Sequence, residues 1–358
     1  MTVLLDQLKR IIVQEGPISV ERYMGLCLQA YYGSRDPFGV AGDFTTAPEI
    51  SQMFGELIGL WAAQIWHDMG APRPLHLVEL GPGRGTLMAD ALRAAKIVPG
   101  FSDSVQIHLV ETSATLRMSQ KAVLASFGQP ISWHDRIDDV PPGPALIIAN
   151  EFFDALPIRQ FVGTERGWCE RLVGLHGDEL TFGLFPEPER SLATPVQPGE
   201  VLEWPALSQA IMSALARRLA QEGGAALIVD YGYWGPALGD TLQAVRSHKP
   251  VDPLRDPGEA DLTAHVDFHH LATAANAAGA SVHGPATQAD FLSALGIHMR
   301  AENLKRRADA AQAEAIDAAL ARLTDPGPTG MGQLFKVLAV SHPSIAAVPG
   351  LPPQRFAA

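Results

Sequence analysis

The chain of 358 residues is 47% apolar, and its Gly and Pro residues are scattered, so its composition excludes a disordered or low-complexity protein. A formal net charge of −12 argues against recognition of a nucleic-acid backbone as the main role. The two cysteines fit no metal-binding spacing, no run reaches membrane-spanning length and no signal-peptide core begins the chain, which predicts a cytoplasmic protein without membrane insertion.

The N-terminal part of the chain has helical periodicity. Apolar residues recur at helical spacing over 4–12, and a second helix is expected over about 19–30. Thr46-Ala47-Pro48-Glu49 has the pattern of a capping box with Pro early in the first turn, and it predicts a long helix that ends near Met69. Residues 1–70 are therefore expected to form a helical cover that precedes the first strand of a sheet.

A glycine-rich turn follows the apolar run 75–80, which is typical of a buried strand. Gly81, Gly83 and Gly85 let the backbone turn sharply and let a ligand approach main-chain atoms. Dinucleotide sites use Gly-x-Gly-x-x-Gly, whereas the spacing here is Gly-x-Gly-x-Gly. Glu79 precedes the first glycine and would repel a pyrophosphate. A carboxylate at this position suits a ligand with a cationic end, such as the amino group of S-adenosylmethionine.

Polar side chains also follow the next strands of the expected sheet. These strands are expected at 105–111, 131–133 and 145–149. Glu111 ends the first of them, where an acid can accept both ribose hydroxyls, and Asp135 follows the second, where an acid often meets an adenine amino group. Asn150, Glu151 and Asp154 follow the third. Because the carboxyl ends of parallel strands share one edge of a sheet, we expect these side chains to lie together.

The second half of the chain mixes short strands with helices. Short strand-like pieces from 158 to 204 predict a β-rich insertion after strand four. A strand at 225–229 precedes a loop-like stretch at 239–267, and the last strand is expected at 334–340. The expected division is a helical cover at 1–70, the first half of a ligand-binding core at 71–157, the insertion at 158–204, the second half of the core at 205–342 and a Pro-rich tail at 343–358.

Two acidic residues are candidates for an acceptor site. Glu151 and Asp154 are three residues apart at the end of a strand, so they can lie on one face of a turn and accept the fork of a guanidinium group. Alternatively, Asp154 caps a turn and Glu151 is solvated. His265 and His269 are one helical turn apart, but no cysteine lies near them and no third ligand is evident, so no metal site is predicted.

Several motifs resemble those of known methyltransferases. The Glu-x-Gly-x-Gly-x-Gly motif at 79–85, with an acid at 111, resembles the donor site of the seven-stranded class I methyltransferases. Longer blocks at 42–49 (Gly-Asp-Phe-Thr-Thr-Ala-Pro-Glu), 150–157 (Asn-Glu-Phe-Phe-Asp-Ala-Leu-Pro) and 258–268 resemble the MidA-type family. This family of class I methyltransferases includes the mitochondrial complex I assembly arginine methyltransferase. The resemblance covers nearly the whole chain.

The resemblance implies an α/β fold with a Rossmann-like seven-stranded sheet, an N-terminal helical extension and a β-rich insertion after strand four. It implies S-adenosyl-L-methionine as cofactor and symmetric dimethylation of an arginine on a protein substrate, a respiratory complex I subunit or a related protein. Glu151 and Asp154 would hold the acceptor, and His265 would line its channel. The implied donor-binding residues are Asp43, Thr45, Thr46, Glu79, Gly81, Gly83, Gly85, Glu111, Asp135 and Asn150.

Three alternatives remain open from the sequence. A methyltransferase for small molecules would have a deep, closed acceptor pocket. An NAD-dependent oxidoreductase would point Glu79 away from the ligand and use Glu111 on the ribose at the nicotinamide side. A non-catalytic assembly factor would keep the S-adenosyl-L-methionine site without transferring a methyl group. The sequence does not indicate the oligomeric state.

Overall fold

The computed structural model of the protein describes residues 3–34, 46–192 and 194–354. The helices are α1 Val3–Glu15, α2 Val20–Ser34, α3 Ala47–Ile50, α4 Gln52–Asp68, α5 Thr86–Ala95, α6 Phe101–Ser104, α7 Ala114–Leu124, α8 Ala206–Glu222, α9 Phe268–Ala277, α10 Gln288–Ala294, α11 Ile297–Lys305, α12 Ala310–Thr324 and α13 Met331–Leu334. The strands are β1 Ile18–Ser19, β2 Leu75–Leu80, β3 Val105–Val110, β4 Ile131–His134, β5 Ala145–Asn150, β6 Arg159–Thr164, β7 Gly167–His176, β8 Glu179–Pro188, β9 Val201–Trp204, β10 Gly224–Tyr233, β11 Gln243–Arg246, β12 Lys249–Val251, β13 Asp261–Thr263, β14 Val266–Asp267, β15 Ser281–Thr287 and β16 Phe335–Ser341. No helix within these ranges is long and apolar enough to cross a membrane.

Seven strands form the path of the central sheet, in the order β15-β16-β10-β5-β2-β3-β4, and β14 adds to β10 at its end. Within this sheet, β10, β5, β2, β3 and β4 run parallel to one another. Strand β16 is antiparallel to both of its neighbours, β15 and β10. The chain leaves β2 toward β3 on one side and later returns to β5 on the other. In an open parallel sheet, such a switch point is where a ligand crevice forms. The predicted Rossmann-like seven-stranded fold is confirmed.

Helices cover both faces of the sheet, so the central strands are apolar on both sides. Leu77 and Leu146 pack on one face in the same buried cluster as Trp61 of α4. Val78 and Ile147, the next residues along the same strands, pack on the other face. This alternation within continuous apolar runs fixes the strand register, and with it the side chains that reach the carboxyl edge.

The predicted β-rich insertion is present directly after β5. Strands β6 to β9 form an antiparallel sheet, to which β1 adds by pairing with β7. Ile18 pairs with Val173 and Ser19 with Leu172, so the N-terminal helices are joined to the insertion by main-chain hydrogen bonds.

The long helix predicted from residue 46 is wrong, because the structure has two helices, α3 and α4. Ser51 between them is extended (φ −159°, ψ 137°), and its side chain accepts the N–H of Met53 to cap α4. Thr46 is the N-cap residue of α3 but makes no capping hydrogen bond with its side chain. Glu49 accepts a hydrogen bond from the Thr86 hydroxyl at 2.6 Å instead. The capping box is therefore absent, and Glu49 bonds to α5 instead of to the start of its own helix.

Two other stretches differ from the sequence prediction. The stretch 239–267, predicted as a loop, contains β11, β12 and β13, which form a small antiparallel sheet. Ala244 and Leu262 of this sheet pack in one cluster with Leu8 of α1, and tertiary contact of this kind stabilises strands too short to be read from sequence. Strand β15 was also missed, because its Gly284-Pro285 pair is typical of a turn. Pro is tolerated there because β15 is at the edge of the sheet.

Candidate functional site

A cavity of about 1410 Å³ lies at the carboxyl ends of β2, β3, β5 and β10. Helices α2 and α8 and the small sheet of β11 and β13 provide further walls. The cavity gathers most of the residues predicted for the site, namely Thr46, Glu79, Gly81, Gly83, Glu111, Asp135, Asn150, Glu151, Asp154 and His265. Gly85 precedes α5 as its N-cap residue and does not line the cavity. Asp43 and Thr45 lie outside the described residues.

The glycine turn after β2 requires left-handed backbone. Gly81 has φ +60° and Gly83 has φ +53°, values that residues with a side chain rarely adopt. A Cβ atom at Gly81 would also lie 3.2 Å from the Phe152 ring. The carbonyl oxygen of Gly83 accepts a hydrogen bond from Nε2 of Gln120 at 2.7 Å, which holds the turn against α7.

Glu79 is a buried carboxyl group at the cavity. Its side chain is 3% exposed, and Oε2 has no hydrogen-bond partner within the described part of the chain. Burial raises the pKa of Glu79 to about 8. A buried carboxyl oxygen without a partner is costly unless a ligand supplies a donor or a positive charge. The site therefore fits the cationic amino group of S-adenosyl-L-methionine.

The acids after β3 and β4 have different surroundings. Glu111 is buried, and its oxygens accept hydrogen bonds from the Ser113 N–H at 2.8 Å and from Gln120 Nε2 at 3.3 Å. Burial raises the pKa of Glu111. Asp135 is exposed, and Arg117 Nη2 is 2.7 Å from its Oδ1. Both carboxylates line the cavity, and their roles toward a ribose and an adenine remain predictions.

The residues that follow β5 place two carboxyl groups in the same cavity. Oε1 of Glu151 accepts hydrogen bonds from Asn150 Nδ2 and from the Ala47 N–H, both at 3.2 Å. Oδ1 of Asp154 is buried and has no partner among residues 3–34, 46–192 and 194–354. Burial, with the nearby charge of Asp154, raises the pKa of Glu151 to about 8. Burial raises the pKa of Asp154 to about 6, and the Tyr231 hydroxyl acts in the opposite direction.

Sequence reasoning gave no role to Asp230 of β10. One oxygen of this fully buried carboxyl group accepts the N–H groups of Phe152, Phe153 and Asp154 at 3.2, 2.9 and 3.2 Å. Burial, with the charges of Asp154 and Glu151, raises the pKa of Asp230 well above its ordinary range. Asp230 follows the apolar run 225–229, the same signal that identified Glu111 after its strand.

His265 lines the cavity, and its place on the acceptor side stays a prediction. Its ring is 5.4 Å from the Tyr231 ring in an edge-to-face arrangement. The main-chain N–H of His265 donates to the Thr241 hydroxyl oxygen at 2.9 Å, and that hydroxyl donates to Oε2 of Glu203 at 2.6 Å. Burial and the charge of Lys336 lower the pKa of His265, which favours the neutral imidazole. The sequence pattern did not identify Thr241 or Glu203.

Histidines near this site have other partners. Nδ1 of His270 is 2.9 Å from Asp267 Oδ2, and the His269 ring packs against Trp234. Within the described residues, no group of three or more His, Cys, Asp or Glu side chains is arranged to hold a metal ion.

Comparison with known proteins identifies a family. The family described as "putative S-adenosyl-L-methionine-dependent methyltransferase" matches residues 57–286. The chain is 38% identical to the Drosophila melanogaster protein arginine methyltransferase NDUFAF7 homolog, mitochondrial, with 96% of this chain and 86% of that protein covered. It is also 38% identical to the Homo sapiens protein arginine methyltransferase NDUFAF7, mitochondrial, with 84% and 75% covered.

A solved structure agrees with this match. The fold is similar to that of a Burkholderia thailandensis protein whose crystal structure holds S-adenosyl-homocysteine, with a TM-score of 0.85 and 28% identity. The match covers 97% of this chain and 93% of that one.

These findings correct one prediction and exclude one of the three alternatives. The predicted cytoplasmic location is wrong by this comparison, because both curated relatives are named as mitochondrial proteins. The NAD-dependent oxidoreductase is excluded, because the matched family depends on S-adenosyl-L-methionine. The chain belongs to the family of S-adenosyl-L-methionine-dependent methyltransferases that includes the NDUFAF7 protein arginine methyltransferases.

Proposed function

We propose that this protein methylates an arginine side chain of another protein, and that Glu151 and Asp154 hold the guanidinium group. The observation that carries the proposal is the shared cavity. The glycine turn with Glu79 lies in the same cavity as two carboxyl groups, one of which has a buried oxygen without a partner among the described residues. The names of the curated relatives support arginine as the acceptor.

The donor side of the cavity would bind the cofactor. S-adenosyl-L-methionine, when bound, supplies a methyl group on a positively charged sulfur that is an excellent leaving group. Glu79 would pair with the amino group, and Glu111 would accept the ribose hydroxyls. The main-chain atoms at Gly81 and Gly83 would allow close approach of the ligand. Asp43, Thr45 and Thr46 would cover the donor from the N-terminal side, as the family resemblance implies.

The acceptor side of the cavity would bind and orient the arginine. A guanidinium group is a planar fork of donors, and carboxylates accept it through paired, charge-assisted hydrogen bonds. Such positioning can supply much of the acceleration of a displacement reaction. The attacking nitrogen must also lose a proton, and Glu151 is suited to accept it because burial raises its pKa to about 8. His265, with its lowered pKa, would line the channel as a neutral group.

The proposal includes a finer assignment of product and substrate. The MidA-type resemblance implies symmetric dimethylation and an acceptor that is a respiratory complex I subunit or a related protein. These two points rest on the resemblance, and an experiment that identifies the labelled polypeptide tests them.

The experiment starts from an extract of source cells that lack this protein. Purified protein and S-adenosyl-L-methionine with a labelled methyl group are added, and the labelled species is isolated and hydrolysed. We expect label in dimethylarginine of one polypeptide. Label in a small organic molecule would instead support the alternative of a small-molecule methyltransferase. Absence of transfer with intact cofactor binding would contradict the proposal and support the non-catalytic assembly factor.

A further inference from the structure

We propose that Asp230 is a positioning residue for the acceptor site, a role that rests on the function proposed above. Asp230 lies in β10 and does not line the cavity. Its carboxylate sets the conformation of residues 151–154, which carry Glu151 and Asp154 into the cavity. The acceptor site would therefore depend on an acid that never touches the acceptor.

Four main-chain N–H groups converge on this carboxylate. Oδ2 accepts from Phe152, Phe153 and Asp154 at 3.2, 2.9 and 3.2 Å, and Oδ1 accepts from Tyr231 at 3.0 Å. These N–H donors favour the ionised form of Asp230 and so oppose the burial that raises its pKa. Hydrogen bonds from N–H groups to a carboxylate are stronger than those between neutral groups, and the Asp230 side chain is shielded from water. Three consecutive residues of the turn are thus fixed by one oxygen atom of the neighbouring strand.

The backbone of the turn needs such support. Glu151 has φ +49°, in the left-handed region that residues with a side chain rarely adopt. Such a conformation persists only where surrounding contacts over-determine it. The N–H of Ala264 donates to the Asp154 carbonyl oxygen at 3.0 Å, which holds the far end of the turn next to His265. Asp230 and this hydrogen bond hold the turn from two sides.

The arrangement requires a carboxylate rather than any polar side chain. Asn at this position has one accepting oxygen and an NH₂ group that only donates. Whichever way the amide is turned, its NH₂ group would face either the three N–H groups of the turn or the N–H of Tyr231. At least one buried donor would then lack an acceptor, and the turn would move to relieve the conflict.

A matched control separates positioning from a loss of stability. Glu56 of α4 is also a buried carboxylate, and it accepts hydrogen bonds from Arg300 at 2.7 and 3.0 Å. Neither Glu56 nor Asp230 lines the cavity. Glu56→Gln therefore changes a carboxyl group, buried like that of Asp230, to an amide without touching residues 151–154. Asp230→Asn makes the same chemical change beside those residues.

The experiment compares the wild-type protein with Asp230→Asn and Glu56→Gln. The Kd of S-adenosyl-homocysteine is measured by calorimetry, and kcat and KM are measured on the polypeptide that the wild-type protein labels in extract. We expect Asp230→Asn to raise the acceptor KM and to lower kcat/KM about 100-fold or more, since small misplacements of reacting groups cost about that much. The Kd should change less than about threefold, as expected for a site away from the donor. Equal effects in the two variants, or an equal loss of donor binding in Asp230→Asn, would overturn the proposal.

Hydrogen exchange of the wild-type protein provides a test that needs neither activity nor a folded variant. We expect the amides of Phe152, Phe153 and Asp154 to exchange as slowly as those of β10, because all three are bonded to one buried oxygen. Exchange as fast as at the hairpin between β7 and β8 would overturn the proposal. If the wild-type protein labels no arginine, the proposed function fails and the acceptor role of Asp230 fails with it, whereas hydrogen exchange still shows whether Asp230 fixes residues 152–154.

Discussion

Glu79 has a carboxyl group that is costly to ionise where it lies. Burial raises its pKa from an ordinary 4.5 to about 8, so the folded protein binds a proton more tightly than the unfolded chain does. A raised carboxyl pKa means that stability falls as the pH rises from about 4.5 to 8. The same group becomes favourable when a cation binds beside it. Glu79 thus lowers the stability of the free protein at neutral pH, and under the proposed function it favours binding of the cationic ligand.

We expect Glu79→Gln to have opposite effects on stability and on binding. At pH 8 the free energy of unfolding of the ligand-free variant should exceed that of the wild type by about 1–3 kcal/mol, because no buried charge forms. Near pH 4, below the ordinary pKa of 4.5, this pH-dependent difference should vanish, which is an internal control. The Kd for S-adenosyl-homocysteine should rise about tenfold or more, as a lost charged hydrogen bond implies. Denaturant unfolding and calorimetry measure the two effects, and unchanged binding would contradict the role of Glu79.

Glu151 and Asp154 should make acceptor binding depend on pH. Their pKa values are raised to about 8 and about 6, so each is protonated below its value and cannot pair fully with a guanidinium group. We expect the acceptor KM to fall as the pH rises from 6 to 8, because the carboxyl groups ionise while arginine stays charged. Steady-state rates at several acceptor concentrations between pH 6 and 8 measure this KM. In Glu151→Gln the upper part of the pH dependence should disappear, and a flat KM in the wild type would contradict the assignment.

Three strands of the central sheet are linked by a row of histidines. Nδ1 of His76 is 2.9 Å from Nε2 of His108, and Nδ1 of His108 is 2.9 Å from Nε2 of His134. Nε2 of His76 faces the Pro142 carbonyl oxygen, which can only accept, so this nitrogen carries a hydrogen. The row then runs in one direction, with each Nε2–H donating to the next acceptor. Burial and the neighbouring rings of His76 and His134 lower the pKa of His108 to about 4.

The histidine row should make the stability of the sheet depend on pH. A histidine pKa below its ordinary 6.5 adds stability that is present above pH 6.5 and lost as the pH falls through about 4. The loss should reach about 3 kcal/mol for His108. We expect His108→Leu to be less stable at pH 7 and to approach the wild type near pH 4. Thermal unfolding across this pH range measures the stability of each variant, and His67→Leu, at an exposed position, is the control. The same dependence of stability on pH in the wild type and in His108→Leu would contradict the account.

Elements that depend on local pattern were predicted, and those that depend on tertiary contact were not. Strand β2, the glycine turn and β5 follow from apolar runs and glycine spacing. The break at Ser51 and the partner of Glu49 depend on α5, which is distant in sequence. Likewise, Glu151 and Asp154 are identified by their place after a strand. Asp230 also follows a strand, but the N–H groups that it accepts belong to the segment after β5, so its role appears only when β10 lies beside β5.

At the scale of the whole molecule, the N-terminal helices and the small sheet of β11 to β13 complete the walls of the cavity. Leu8 of α1 is fully buried and packs in one cluster with Tyr23 of α2 and Leu262 of β13. Gly25 and Leu28 of α2 line the cavity, whereas the glycine turn belongs to the central sheet. If the proposed function holds, the sheet supplies Glu79, Glu111 and the glycine turn to the donor half, and α2 of the cover supplies part of the wall of the acceptor half.

We expect Leu8→Ala to affect the acceptor half more than the donor half. The substitution should lower the free energy of unfolding by about 2–4 kcal/mol, as for other large-to-small changes in a core. Below the unfolding temperature, the acceptor KM should rise while the Kd of S-adenosyl-homocysteine stays within about threefold, because the packing lost lies under α2. Steady-state kinetics measures the acceptor KM, and calorimetry at the same temperature measures the Kd of S-adenosyl-homocysteine. An equal loss on both sides would contradict this division of the site.

The most direct measurement of the central claim is the amount of labelled dimethylarginine formed on the acceptor polypeptide. It compares the wild-type protein, the double variant Glu151→Gln with Asp154→Asn, and the control Glu56→Gln, all at equal occupancy by S-adenosyl-L-methionine. The expected result is dimethylarginine with the wild type and the control, and at least about 100-fold less with the double variant, since both acceptor carboxylates are gone. Undiminished dimethylarginine from the double variant, or label outside arginine with the wild type, would contradict the claim.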